Sequence, residues 1–403
     1  MKKLVLLFLV MIATISCTEP YALQSNTFED VLVVEATLTN ELKKQEIKVT
    51  RTFRLEENEP QTETNATVYV IDDLGNQYNF NETNGKYISE FEFQAVPNRQ
   101  YQLFVNTSNG KQYSSTREEL TTVNNMTSIE AKVKNKFGVN GIDITANSYD
   151  PTGTSKYYRY EYEETHRFTV PQWVPDSITV YGNAEYWDLN GHITYAFNIV
   201  DRSSESKNCF KTAKSTEIIL NNTTSYAEDR ISDYSIRFIS QEDFIIADRY
   251  SILVKQYIHN INSYSYYKVL RDISGSGSVL SPNQPGFIYG NIKNNSDSNE
   301  KVIGYFDVSS VSEKRIFFNY SDLFPNTEIP DFPYECIETV YDTTLLRGST
   351  GFPVFGLTDF VNKIRTKKIL RHQTTSQPNV STFKSECSDC RVTGSNTIPS
   401  FWQ

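Results

Sequence analysis

Residues 31–39 read VLVVEATLT and residues 45–54 read QEIKVTRTFR. The first run is mostly apolar and β-branched. The second alternates, with Ile47, Val49 and Phe53 on one face and Glu46, Lys48 and Arg54 on the other. Period-two alternation places successive side chains on opposite faces of a strand, so both segments read as strands. Working outward, ATVYVI (66–71), residues 77–80, KYISEFEF (86–93), QYQLFV (100–105) and residues 111–117 repeat the pattern. Turn residues at Asp73–Asn76, Asn81–Gly85, Pro97-Asn98 and Ser108–Gly110 separate them. Seven short strands with turns every eight to twelve residues describe an immunoglobulin- or fibronectin-like sandwich, assigned to residues 28–122. Tyr101 stands where a tyrosine corner would sit, or is one more core aromatic.

The polar stretch Thr121–Thr127 reads as a boundary to a larger β-rich domain, residues 123–403. Its strands are expected at 128–134, 141–147, 156–163 (KYYRYEYE), 216–220, 234–239 and 248–258 (DRYSILVKQYI). A helix is expected over 261–273, where Tyr264, Tyr267, Leu270 and Ile273 share a face, a stripe that reads as packing. Gly275-Ser276-Gly277 ends it, and a polar loop runs to Gly286. Next come a strand at 287–292, a charged turn at Lys293–Glu300 and the strand KVIGYFDV (301–308). Residues 315–319 (RIFFN) are its expected hairpin partner. The tail is turn-rich, and its terminal Phe401-Trp402 is expected to dock on the domain. The fold class is mainly β, with one or two short helices.

Residues 1–17, MKKLVLLFLVMIATISC, have a basic start, a short apolar core and a closing cysteine. Residues 1–16 read as a secretory signal peptide, with an apolar run too short to span a bilayer of about 30 Å. Cys17 fits the acylated residue of a lipoprotein, opening a tether over residues 17–27 and placing the chain on a membrane by lipid. No later segment has eighteen uncharged apolar residues in a row. Without Lys2 and Lys3 the chain has 37 basic and 49 acidic side chains, net −12, which argues against nucleic acid as a partner.

Cys209, Cys336, Cys387 and Cys390 follow Cys17, and in an oxidising compartment they permit two disulfides in three pairings. Cys387-Ser-Asp-Cys390 has the spacing of a redox pair or half a zinc site. Zinc would need two more ligands and only His372 is near in sequence, so the tail cysteines read as staples to the body.

Catalytic motifs are missing from the chain. There is no GxSxG, Walker loop or GxGxxG, and His166, His192, His259 and His372 do not form HExxH. Asp188–Gly191 resembles part of a calcium loop but lacks its remaining acids, and reads as a turn. No catalytic residue, metal or cofactor is assigned. Trp173 and Trp187, among several tyrosines, are candidates for stacking on a glycan or anchoring a peptide, with packing as the alternative. An envelope hydrolase would instead need a carboxylate pair or a Ser/His/Asp cluster in a cleft.

FEDVLVVEATLT (28–39), FIYGNIKN (287–294), KVIGYFDVSSV (301–311) and CSDCRVTGSNTIPSFW (387–402) together resemble Bacteroidota lipoproteins carrying domain of unknown function 4249. The resemblance covers nearly the whole mature chain. Its motifs are the GNI and GYF strands and the ending formed by Cys387, Cys390, Arg391, Gly394, Pro399, Phe401 and Trp402, none of them a catalytic signature. It implies a lipid-anchored outer-membrane protein, with the cell surface favoured over the periplasmic face. It also implies a TonB-dependent outer-membrane receptor as partner, since such lipoproteins are often encoded beside one. The expected function is therefore non-enzymatic assistance to a transporter, with an independent glycan- or peptide-binding module as the alternative.

Overall fold

Period-two alternation builds the first unit. In the computed structural model, residues 29–53, 60–180, 186–187, 193–194, 197–202, 204–275, 288–342, 362–366, 369–371 and 379–402 are described. The signal segment, Cys17 and the tether lie outside them, as do His192, His372 and the Asp188–Gly191 turn. Strands β1 (Leu32–Thr39), β2 (Glu46–Arg51), β3 (Thr67–Asp72), β4 (Gln77–Thr83), β5 (Lys86–Ser89), β6 (Gln100–Asn106) and β7 (Gln112–Ser115) occupy the expected segments. Leu32, Val34, Ala36 and Leu38 of β1, with Ile47, Val49, Val68, Val70, Leu103 and Val105, point into one core. Tyr101 is buried there, and its hydroxyl accepts from the Val96 N–H at 3.0 Å. It is thus a core aromatic with a corner-type bond to backbone upstream.

The second unit comprises β8 (Met126–Lys136), β9 (Val139–Asp150), β10 (Tyr157–Thr169), β11 (Asn208–Lys214), β12 (Ile219–Asn222), β13 (Asp229–Ser240) and β14 (Arg249–His259). Helix α1 (Ile261–Gly275), β15 (Ile292–Asn294) and β16 (Val302–Asn319) complete the elements that position the site. The sheet β13-β9-β8 faces β10, β14 and the end of β16 across a core that includes Ile142, Ile144, Tyr160, Ile239, Val254 and Phe318. The result is mainly β and sandwich-like, as the alternation predicts.

One expectation needs correction. Residues 301–308 and 315–319 are not two arms of a hairpin; they belong to the single 18-residue strand β16. Residues 309–314 (SSVSEK) contain no Gly, Pro or Asn to make the turn a hairpin needs. The first half of β16, Val302–Ser309, runs parallel to β1, and the second half, Ser310–Asn319, runs antiparallel to β14. One strand therefore carries both units. The main sheet runs β11-β10-β14-β16-β1-β2-β5-β4-β3-β6-β7-β15, with β12 also on β10 and Glu118–Glu119 on β6.

The far end of that sheet returns to β16. Gly290 lies so close to Gly304 that a Cβ on it would stand 1.5 Å from the Gly304 carbonyl oxygen. The Asn291 amide then takes the place of a neighbouring strand. Its Oδ1 accepts from the Phe306 N–H at 2.7 Å and its Nδ2 donates to the Phe306 carbonyl at 2.8 Å. This side chain closes the roll where a sheet edge would otherwise be left open.

The β8–β9 hairpin turns through Phe137 and Gly138, both at positive φ, 54° and 85°. Two-residue turns of this kind favour Asn-Gly, whereas Phe137 is bulky, fully exposed and strained there. Phe137→Asn is expected to raise stability by about 1 kcal/mol, read as a higher urea midpoint.

The tail is stapled twice. Cys209 is bonded to Cys390 and Cys336 to Cys387, with Cα separations of 5.5 and 5.7 Å, so the CxxC cysteines bond outward and not to each other. Trp402 packs edge-on against Phe210 at 4.9 Å and Phe317 at 5.7 Å. Phe401 lies under the Arg315 guanidinium, 3.5 Å from its ring centre.

His166 on β10 is buried near this staple, 5.8 Å from the Phe168 ring. Burial, aided by Lys211 and opposed by Asp243, pulls its pKa down from 6.5 to about 4. Below pH 6.5 the unfolded chain binds a proton that the folded chain refuses. Stability from this group is therefore full above pH 6.5 and falls as pH drops toward 4, by up to about 3 kcal/mol. His166→Gln is expected to flatten that part of the profile in urea titrations at stepped pH.

Candidate functional site

The strands that meet at β16 bury one face in the two cores and turn the other outward. Alternation puts Arg159 and Glu161 of β10, Tyr257 and His259 of β14, and Tyr305, Asp307 and Ser309 of β16 on that outer face. Chain continuity supplies a wall. Helix α1 begins just after His259 and brings Tyr266, Tyr267 and Leu270 over the strands, enclosing a cleft of about 470 Å³ whose far side is β1 and β2. A second cleft of about 700 Å³ lies across the helix, beside Glu118, Asn262 and Asn291. Tyr266 and Tyr305, with ring centres 5.5 Å apart, wall both. Both volumes fall in the range of about 300–1,000 Å³ common for ligand sites.

Under the smaller cleft lies an ordered ionic cluster. The Arg159 guanidinium is held between the rings of Tyr257 and Tyr267, 4.3 and 4.6 Å from their centres. Its Nε donates to His259 Nε2 at 3.0 Å and its Nη1 pairs with Glu161. His259 Nδ1 is 2.9 Å from Asp307 Oδ2, 2.8 Å from Ser263 Oγ and 3.0 Å from Ser309 Oγ. Because Nε2 accepts from Arg159, the imidazole is neutral with its proton on Nδ1. Burial lowers the His259 pKa, consistent with the neutral form. Burial pushes Asp307 up, but His259, Ser309 and Arg159 outweigh it and hold the carboxyl below its usual range. The same contest, won mainly by Arg159, keeps Glu161 ionised.

A serine, a histidine and an aspartate thus meet, in an arrangement unlike that of a nucleophile and its base. In a hydrolytic triad the serine and the acid use opposite ring nitrogens. Here Ser263, Ser309 and Asp307 all crowd Nδ1, Arg159 occupies Nε2, and His259 is only 2 % exposed. What the cluster does is fix Arg159 in one orientation.

The residues singled out from sequence lie elsewhere. Trp173 is half-buried, donates its Nε1–H to Ser206 Oγ at 3.0 Å and packs on the apolar group around the Cys209–Cys390 bridge. Trp187 sits in the two-residue strand Tyr186–Trp187, paired with Ile193–Thr194, and its side chain lies outside the described residues. The four cysteines are all in bridges away from the cleft. Of the helical stripe, Tyr264 packs on Tyr157 as expected, 5.0 Å between ring centres, whereas Tyr267 and Leu270 form cleft wall. Two signals for the missed residues were present. The alternation of KYYRYEYE sets Arg159 and Glu161 on one face, and Asp307 is a lone acid in an apolar strand.

The chain matches the family described as Domain of unknown function (DUF4249) over residues 18–315, a span that holds every residue of the ionic cluster. No curated protein matches it.

Proposed function

Because the chain belongs to the DUF4249 family, we propose that it is a non-enzymatic outer-membrane lipoprotein that captures an organic ligand and assists a TonB-dependent transporter. The observation that carries the capture reading is the cleft between β1 and α1, where side chains of both units meet over an ionic cluster with no nucleophile set against a base. The basic-apolar-cysteine start of the chain supports a lipid anchor at Cys17, and the outer membrane and its cell-surface face rest on the family resemblance. The transporter rests on the resemblance to lipoproteins encoded beside TonB-dependent receptors.

Crosslinking in intact cells, followed by purification through a C-terminal tag and mass spectrometry, tests the reading. A TonB-dependent receptor is expected as the dominant partner. Recovery of the protein without a receptor overturns the transport role. The second reading, an independent module for a glycan or peptide, is favoured by the two tyrosine-walled clefts flanking α1. It predicts co-purification with polysaccharide or peptide alone.

A further inference from the structure

We infer that the cleft between β1 and α1 takes a neutral sugar bearing vicinal hydroxyls, gripped by Arg159 and Glu161. The inference rests on the capture reading above and names its ligand. Arg159 is 8 % exposed and immobilised on both faces by Tyr257 and Tyr267, and its Nε and Nη1 are engaged by His259 and Glu161. Among the described residues its Nη2 has no hydrogen-bond partner, and the residue lines the cleft. A guanidinium already held rigid loses little side-chain freedom when it donates to a ligand.

Beside this donor stands an acceptor. Glu161 is ionised, takes Arg159 on Oε1 and the Tyr257 hydroxyl on Oε2 at 3.1 Å, and its side chain remains 42 % exposed in the cleft. A donor and an acceptor side by side match two adjacent hydroxyls, one accepting from Nη2 and its neighbour donating to the carboxylate.

Charge in the lining favours a neutral ligand. Lys48 pairs with Glu35, Lys43 with Glu41, Glu46 with Lys86 and Arg159 with Glu161; the exposed Lys44, which has no ion pair among the described residues, is offset by Asp307, which keeps a negative charge below the floor. A ligand carboxylate would find no surplus of positive charge at Arg159. The floor consists of strands already paired through the sheet, so an extended peptide meets no open edge on which to pair its amides. The half-buried rings of Tyr266 and Tyr267 give the apolar face of a sugar ring a surface to lie on.

The test is isothermal titration of the mature full-length chain, with Cys17→Ala to prevent acylation. The probes are neutral gluco-, manno- and xylo-oligosaccharides, oligogalacturonate, and a tetra-alanine peptide. At least one neutral oligosaccharide is expected to bind. Arg159→Lys, which keeps the charge but loses the fork, is expected to weaken it at least tenfold. Tyr266→Ala, on a half-exposed position that leaves the core intact, is expected to weaken it about tenfold with unchanged far-UV circular dichroism. Binding of only the galacturonate or only the peptide overturns the neutral-sugar inference and leaves capture standing. Neutral binding that survives Tyr266→Ala overturns this location. Binding of no probe overturns the inference, whereas the receptor pull-down judges the transport role separately.

Discussion

Gly304→Ala is expected to leave no folded protein. Gly304 has φ of +141°, a conformation L side chains rarely adopt, and an added Cβ would stand 2.1 Å from the Val34 carbonyl oxygen. That oxygen cannot retreat easily, because Val34 and Gly304 are register partners in the β1–β16 ladder at the centre of the sheet. Nor can β16 shift the other way, since Gly290 is already packed against the Gly304 carbonyl. Strain and overlap together are expected to exceed about 4 kcal/mol, a large share of the roughly 5–15 kcal/mol that holds a domain folded. Soluble yield and near-UV circular dichroism measure the outcome. Gly153→Ala is the control: its φ is +69° but no atom lies within 4 Å of the added Cβ, so about 1 kcal/mol is expected. Wild-type stability in Gly304→Ala would refute the close approach of β1, β16 and residue 290.

Asn291→Leu should cost about 4 kcal/mol without creating a cavity. Leucine is similar in size, so the loss is one of polar partners. The buried N–H and C=O of Phe306 both lose the bonds they make to Asn291, and Glu118 loses the donor that Asn291 Nδ2 provides at 3.0 Å. Each unpaired buried group carries a penalty of about 1–3 kcal/mol. Asn291→Asp separates the contributions. It still accepts from the Phe306 N–H, but it sets a negative charge against the Phe306 carbonyl and against Glu118. Urea midpoints for the three proteins are the measurement. A midpoint for Asn291→Leu equivalent to less than about 1 kcal/mol of loss would show that the roll is closed by something other than this amide.

These two positions explain stretches visible as motifs but opaque in meaning. GNI and GYF carry no chemistry of their own; Gly290 and Gly304 are glycines because two backbones touch, and Asn291 is the amide that serves the facing strand. Elsewhere the reading from sequence went furthest where one face of a strand meets water, as in β2 with its alternating buried Ile47 and Val49. It failed at β16, whose first half is buried on nearly every residue and so loses the alternation that marks a strand's continuity. The site was hidden for a related reason. Arg159 and His259 are a hundred residues apart and bond only because β10 and β14 are neighbours in the sheet.

By itself, then, the sequence determined the mainly β class, the strands of the first unit and helix α1, because alternation and turn chemistry act between residues close along the chain. It also limited four cysteines to three pairings. Only the tertiary structure decided which cysteines join, that one strand serves both units, and where the tyrosines, Arg159 and the carboxylates converge. Those outcomes depend on the path that brings distant segments together, and one chain's residue order contains no local signal for it.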